Sequence, residues 1–182
     1  VLTDIVGRYF IWQNEEFLNY NIYANYLNED GSPAAGWGEN GLVICDEAFN
    51  QKNAQGLMTD QGLLIVWEDL RNGVDADIFG QMITESGEML WDTNGTALVS
   101  DIEDQTNVVM KYYDGNIFMI WEDLRNGDDF DIYMQRYDLD GNELWAQGGV
   151  GVAVKPNEQA NPDFTITNDK IIVFWDDVDE GG

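Results

Sequence analysis

Apolar and polar residues alternate along this chain in short blocks that are typical of β-strands. In the stretch that begins at Gln105, the β-branched and aromatic segment NVVMKYY precedes a turn signal, DGN, at 114–116. The apolar run IFMIW at 117–121 suits a strand covered on both faces, whereas DIYMQRY at 131–137 alternates as a half-buried strand does. A turn at 138–142 and the segments ELW and VGVAV complete the block. Because no long helical stripe of apolar residues interrupts this pattern, the sequence predicts an all-β fold.

The same block recurs along the chain at a constant step. Trp67, Trp121 and Trp175 keep this step, and so does a second series at Trp37, Trp91 and Trp145. The N-terminal segment fits with small slips, since the step from Trp12 to Trp67 is one position longer than the later ones. We expect a single domain over 1–182, with repeats at 1–50 (partial), 51–104, 105–158 and 159–182 (partial).

Four short antiparallel strands in about 54 residues are typical of a propeller blade. One such sheet cannot bury two apolar faces by itself, but stacked and twisted neighbours can. A parallel β-helix would need a coil of about 20–30 residues, and an immunoglobulin-like sandwich needs about 100. The predicted fold is therefore a β-propeller or a propeller-like array of four-stranded antiparallel blades. The blade count indicates an incomplete ring, either a fragment of a longer protein or a ring closed by oligomerisation.

The charge of the chain narrows the classes of partner. It has 35 acidic and 8 basic residues, a net charge of −27 and no histidine. A phosphate backbone would be repelled, so we expect no nucleic-acid partner. No apolar run approaches the roughly 18 residues that span a bilayer, so we expect no membrane insertion. The lack of histidine removes the commonest general base, and the single cysteine, Cys45, is predicted to be a small core residue.

Residues that recur in every repeat favour a scaffold role over a catalytic one. Trp67, Trp121 and Trp175 close the most apolar strand and are predicted to pack between blades. The second tryptophan series is also predicted to be core, with an exposed sugar-stacking platform as the alternative. The pairs Asp69–Arg71 and Asp123–Arg125 are predicted to form a repeated turn device, in which the carboxylate accepts backbone N–H groups and the guanidinium.

The acidic loops are candidates for calcium binding, because calcium takes six to eight oxygen ligands and tolerates loop geometry. The segment DLDGNE at 138–143 is similar to the start of a calcium loop, although it is one aspartate short and lacks the distant bidentate glutamate. The alternative is a solvated acidic surface. The candidate metal ligands are Asp75, Asp77, Asp129, Asp131, Asp138 and Asp140.

A carbohydrate-active propeller enzyme that uses paired carboxylates is the catalytic alternative. Every recurring acidic pair lies inside the repeat, so no catalytic residue is assigned. An acid or tyrosine found in one blade only would favour catalysis, and the residues interpreted as unmatched in later repeats are Glu15, Glu16 and Glu47.

The motif W-[ED]-D-x-R-N-G-x-x-x-D-I-[YF]-x-Q, followed by D-G-x-x-L-W, resembles tandem repeats of large secreted or surface proteins of Bacteroidetes-like bacteria, which often carry a sorting module for type IX secretion. The resemblance is clearest at 51–175 and implies an extracellular, propeller-like module with no established catalysis. The chain departs from it at Gln13-Asn14-Glu15 and at Asp179. The predicted function is adhesion, scaffolding, or the binding of a glycan or protein; the alternatives are a propeller enzyme and a subunit that assembles through its open blade edges with other copies, a larger partner, or the rest of a longer chain.

Overall fold

The computed structural model describes residues 7–16, 18–168 and 170–178, which form thirteen β-strands and, within those ranges, no helix. Each successive sheet is named here as a blade. The strands of the first blade are β1 (Gly7–Glu16), β2 (Asn19–Asn28) and β3 (Leu42–Cys45). The second blade has β4 (Gln51–Met58), β5 (Leu63–Asp69), β6 (Asp77–Ile83) and β7 (Thr96–Val99). The third has β8 (Gln105–Tyr113), β9 (Asn116–Asp123), β10 (Asp131–Tyr137) and β11 (Val150–Ala153), and the fourth has β12 (Gln159–Thr167) and β13 (Lys170–Asp177).

Each sheet keeps its strands in chain order, and tight turns join several of the strand pairs. The hairpin between β8 and β9 pairs Tyr113 with Asn116, so only Asp114 and Gly115 connect the strands. Asp114 and Gly115 have φ values of 48° and 74°, which match the primed turn that follows the right-handed twist of paired strands. The four-stranded antiparallel blades predicted from the sequence are therefore confirmed in the second and third blades.

A β-bulge recurs in the first strand of the last three blades. The bulged residues Asn53, Asn107 and Asn161 have φ values of 55°, 52° and 53°, a region that asparagine tolerates better than most residues. Each side-chain amide donates to the acidic residue on the adjacent strand, as Asn107 does to Glu122 at 2.8 Å. The regular spacing of these asparagines therefore reflects the positive φ that the bulge requires in each of these blades.

The chain divides into two compact units, Val1–Gly73 with Phe79–Thr96 and Val74–Ile78 with Ala97–Gly182. In the first unit, β1 and β2 pack against β4. Its core contains these buried side chains: Ile22, Ala24, Trp37, Ile44, Cys45, Leu63, Ile65, Trp67 and Ile83. In the second unit, β12 packs against β8, β9 and β10. Its core contains Phe118, Ile120, Ile132, Met134, Ala153 and Phe164.

The predicted burial of the first tryptophan series is observed in the middle blades. Trp67 and Trp121 are fully buried, and each ring lies against a glycine with positive φ. A Cβ on Gly95 would approach the Trp67 ring to 2.4 Å, so the ring occupies the space that a side chain would need. Trp175 differs because it is partly exposed in the fourth blade.

The second tryptophan series is not uniform either. Trp37 is fully buried, whereas Trp91 and Trp145 are only half-buried, so the core prediction holds in full for the first member. Cys45 is buried as predicted, and burial raises the pKa of its thiol to about 12. The departure predicted at Asp179 lies outside the described residues.

Among the residues that the structure describes, no helix is long and apolar enough to cross a bilayer.

Candidate functional site

The recurring aspartate and arginine form a closed hydrogen-bonded device in the second blade. The buried carboxylate of Asp69 accepts from the indole N–H of Trp67 at 2.7 Å and from the backbone N–H of Arg71 at 2.8 Å. The Arg71 guanidinium also donates to this carboxylate at 2.6 Å and lies 3.8 Å above the ring of Phe79. Burial disfavours the charge of Arg71, but the hydrogen bond and charge of Asp69 outweigh it and raise the arginine pKa.

The third blade repeats this device with one addition. Asp123 accepts from Trp121 at 2.7 Å and from the backbone N–H of Arg125 at 3.0 Å, and the guanidinium lies 4.0 Å above the ring of Tyr133. Arg125 also pairs with Asp101 at 3.3 Å. The predicted turn device is confirmed in both blades, because these side chains bond to one another and to the backbone.

A buried glutamine fixes the turn that carries the second tryptophan series. Gln135 donates to the carbonyl of Ala146 at 2.7 Å and accepts from the backbone N–H of Trp145 at 3.0 Å. Gln81 accepts from the backbone N–H of Trp91 in the same way at 2.9 Å. The most regular polar residues of the repeat are therefore structural.

The first blade breaks the repeat at the arginine position. Glu16 occupies the position that Arg71 holds in the second blade, and it accepts a hydrogen bond from the Tyr23 hydroxyl at 2.6 Å. This hydrogen bond raises the pKa of Tyr23. The guanidinium of the later blades is thus replaced by a carboxylate, and an open cleft of about 270 Å³ lies beside it. Its lining residues are Glu16, Asn19, Asn21, Tyr23, Asp46, Glu47 and Ala48.

The three acids that the sequence indicated as unmatched differ in the structure. Glu15 is exposed on β1, whereas Glu16 and Glu47 line the same cleft. The interpretation of Glu47 as unmatched is wrong, because Asp101 stands one full repeat after it. The charge of Glu47 contributes to the raised pKa of Arg71, whereas Asp101 forms a direct ion pair with Arg125.

The calcium candidates lie in three separate places. Asp77 and Asp131 begin β6 and β10, with Asp75 and Asp129 in the loops before them, and Asp138 and Asp140 follow β10. Within the described ranges, no group of three or more acidic, cysteine or histidine side chains is arranged to hold a metal ion.

Internal hydrogen bonds occupy several of these carboxylates. One amide, that of Asn126, donates to Asp129 at 2.7 Å and to Asp131 at 2.9 Å, so these two carboxylates converge. Burial raises the pKa of Asp131. The carboxylate of Asp138 accepts from the backbone N–H groups of Asp140 and Asn142 at 3.0 and 2.9 Å. Although burial opposes its charge, these and related hydrogen bonds lower the pKa of Asp138. Calcium binding stays a prediction, and Asp129 with Asp131 is the pair that best fits it.

An aromatic cleft of about 470 Å³ lies between the first and second blades within the first compact unit. Tyr9 and Tyr26 stack with ring centroids 4.5 Å apart, and the edge of Trp37 supports Tyr9 from 5.6 Å. The Tyr26 hydroxyl donates to the exposed Glu85 carboxylate at 3.4 Å, and Trp37 donates to the Glu85 carbonyl at 2.8 Å. The other lining residues come from the β4–β5 hairpin: Met58, Thr59, Asp60, Gln61 and Gly62.

A cleft of about 260 Å³ occupies the equivalent repeat position in the second compact unit. Phe118 and Arg136 stand where Tyr9 and Tyr26 stand in the first, once the small slips of the first blade are allowed for. The Trp145 ring meets Phe118 edge-on at 5.9 Å, and the Arg136 guanidinium lies 5.7 Å from the Phe118 ring centre. The remaining lining residues are Tyr113, Asp114, Asn116, Ile166 and Ile171.

Sequence reasoning did not single out Tyr9, Tyr26 or Glu85. The available signal was a departure from the repeat, since the second blade has Leu64 and Met82 at the two tyrosine positions. These two aromatic hydroxyls occur at their repeat positions in the first blade only, which is the asymmetry stated above as favouring catalysis. We therefore regard the two clefts between blades, and the tyrosine-lined one first, as the candidate functional site.

Comparisons with known proteins support the fold class alone. No protein-family model matches the sequence, and no curated protein matches it. Among solved structures, the chain is similar to an endo-arabinase from Bacteroides thetaiotaomicron VPI-5482, with a TM-score of 0.54 and 12% sequence identity. The match covers 93% of this chain and 66% of the arabinase chain, so this chain spans just under two thirds of that protein.

Proposed function

We propose that this chain is a non-catalytic, extracellular repeat module that binds polysaccharide through the clefts between its blades. The observation that carries the proposal is the recurrence of an aromatic cleft with polar groups at equivalent positions in both compact units. This proposed function agrees with the binding role that the resemblance to bacterial surface repeats implies. Its partner class is a glycan in preference to a protein, because the clefts are concave and lined by aromatic and polar side chains.

The tyrosine-lined cleft offers the two kinds of contact that a sugar ring needs. Apolar C–H faces of a sugar pack on aromatic rings, which Tyr9 and Tyr26 supply with Trp37 fixing their position. Sugar hydroxyls donate to carboxylates and bond to side-chain hydroxyls, which Glu85 and Thr59 supply at the rim. The volume of about 470 Å³ lies within the range of small-ligand sites.

Two clefts on one chain favour a polymer over a free sugar. Each cleft is open, so a single sugar unit gains limited burial and binds weakly. A polysaccharide that engages two sites on the same chain gains effective concentration at the second site without any new contact. The proposed ligand is therefore a chain of sugar units, consistent with the adhesive role proposed for a surface module.

The repeat chemistry favours binding over catalysis. Glycoside hydrolysis uses two carboxyl groups about 5–10 Å apart with different protonation states. The recurring carboxylates Asp69 and Asp123 are buried and already bonded to tryptophan and arginine. A carbohydrate-active enzyme is the second candidate, supported by the fold likeness to an endo-arabinase and by the one-sided cleft that holds Glu16 and Tyr23.

The test measures retardation of the purified chain in native gels that contain debranched arabinan, with xylan and hydroxyethyl cellulose run in parallel. We expect retardation in at least one gel, and Glu85→Gln to weaken binding about tenfold, because a hydrogen bond to a charged group contributes roughly 1.5–3 kcal/mol. The matched control is Glu88→Gln, an exposed glutamate of the same turn outside the cleft, which should bind as the parent does.

Three outcomes would contradict the proposal. Mobility unchanged by all three polysaccharides would remove glycan binding of these classes, and equal loss in both glutamine variants would remove the cleft assignment. New reducing ends formed from arabinan, and lost in Glu16→Gln, would replace the binding module with the enzyme candidate.

A further inference from the structure

The fourth blade exposes apolar side chains on one face. Along β13, Ile171 and Val173 pack against the core of the second compact unit. The alternate residues Ile172 and Phe174 point to the opposite face and are 44% and 56% exposed. Both are large apolar residues in a well-paired strand, so this face lacks a covering layer among the described residues.

The same repeat positions are buried one blade earlier. Phe118 and Ile120 are the counterparts of Ile172 and Phe174 in the third blade, and they are 8% and 0% exposed. They share a core with Phe164, which belongs to the fourth blade. The positions of Ile172 and Phe174 are therefore the ones that a following blade covers.

The first blade exposes the complementary face. Tyr9 and Ile11 pack toward the second blade, whereas the alternate residues Phe10 and Trp12 are 46% and 37% exposed. Their repeat equivalents, Ile65 and Trp67, are fully buried in the core shared by the first and second blades. The positions of Phe10 and Trp12 are therefore the ones that a preceding blade covers.

We propose that copies of this chain associate head to tail, with the fourth blade of one copy stacked on the first blade of the next. The two exposed faces are the two halves of a contact that the chain already makes within each compact unit. Each copy thus offers one face of each kind, and a second copy supplies the matching one. Because the two faces differ, the contact is heterologous, and successive contacts either close the copies into a ring or extend them into an open assembly.

The net charge gives this association a distinctive salt dependence. Two copies that each carry −27 repel one another at low ionic strength, whereas the contact itself is apolar. Salt screens the repulsion and leaves the apolar contact intact. We therefore expect association to increase between about 20 and 500 mM sodium chloride, at which the screening length falls from roughly 20 to 4 Å.

The experiment is sedimentation velocity of the chain over a range of concentrations and salt. We expect dimers or larger species in the parent chain, and monomers in both Phe10→Asp and Phe174→Asp. Ile102→Asp is the charge-matched control, because Ile102 is exposed in the loop between β7 and β8 and belongs to neither face, and it should associate as the parent does. Circular dichroism and melting temperature verify that each variant remains folded.

Mixing the two variants separates head-to-tail contact from other modes. Phe10→Asp retains an intact fourth blade and Phe174→Asp retains an intact first blade, so an equimolar mixture should form a dimer that grows no further. A parent chain that stays monomeric at high salt, association that survives either substitution, or a mixture that stays monomeric would each overturn the proposal.

Discussion

The first and second blades both form antiparallel sheets, but they carry different side chains at equivalent repeat positions. In the second blade, Trp67, Asp69 and Arg71 lock together, and the guanidinium covers Phe79. In the first blade the equivalent residues, allowing for the small slips of that segment, are Trp12, Asn14, Glu16 and Tyr23. A further pair of aspartates, Asp75 and Asp77, is likewise replaced by Asn19 and Asn21.

This difference shows that the ion pair stabilises a blade locally but is not required for a blade to form. The first blade keeps its sheet through the continuous pairing of β1 with β2 and through the bond from Tyr23 to Glu16. It lacks the buried aspartate–arginine pair, and an open acidic cleft lies at the equivalent position. A repeat position that is structural in one blade is therefore free to acquire another role in its neighbour.

The largest expected effect on stability comes from removing the aspartate of this ion pair. Asp69→Ala leaves the indole N–H of Trp67 and the half-buried guanidinium of Arg71 without their acceptor. Loss of one partner of a buried pair costs about 3–5 kcal/mol in the free energy of unfolding. The matched variant Asn14→Ala removes an exposed side chain and should cost about 0.5 kcal/mol or less. Urea unfolding followed by circular dichroism measures both, and equal losses would contradict the contrast.

An intermediate effect on stability is expected from introducing the aspartate–arginine pair into the first blade. Asn14→Asp and Glu16→Arg together restore the aspartate and arginine, with Tyr23 as the ring beneath. Because these positions lie near the surface, a double-mutant cycle should give a favourable coupling of about 0.5–1 kcal/mol. A coupling of zero would show that the first blade cannot adopt the geometry of the second.

The pKa of Tyr23 provides an independent measurement on the same variants. Its bond to Glu16 raises this pKa in the folded state. The stability that this bond provides is present below the unfolded pKa, near 10, and is lost as pH rises through the folded-state value. Glu16→Arg should lower the Tyr23 pKa in a tyrosine-resolved NMR titration and remove this alkaline loss of stability.

The smallest expected effect concerns calcium and the acidic loops that the first blade lacks. If Asp129 and Asp131 hold calcium, then calcium at a concentration equal to its dissociation constant should raise the melting temperature by roughly 1–2 °C, and a chelator should reverse the rise. Replacing both residues with asparagine should abolish the shift, while Asp92→Asn, in an exposed turn, should preserve it. A melting temperature that does not respond to millimolar calcium would contradict the calcium prediction.

Much of the blade was predictable because its signals are local. The turn at Asp114-Gly115 and the strand at 131–137 follow from local backbone and side-chain preferences, and both occur as predicted. The half-buried alternation predicted for this strand is wrong, because all its residues except Tyr133 and Arg136 are buried. The pairing of Asp69 with Arg71 is also local, since the two residues are near neighbours in the chain. The tyrosine-lined cleft could not be predicted in this way, because Tyr26 and Glu85 lie 59 positions apart and meet only when two blades stack.

The strands, the turns and the period of the repeat follow from the amino-acid sequence alone, because they depend on backbone conformations and side-chain patterns within short stretches of chain. Which of the equivalent residues are buried and which are exposed depends on how the sheets pack. Trp67 and Trp175 occupy the same repeat position, yet packing covers the first and leaves the second partly exposed. Burial depends on contacts with the neighbouring sheet, and the residues of that sheet lie far away in the sequence.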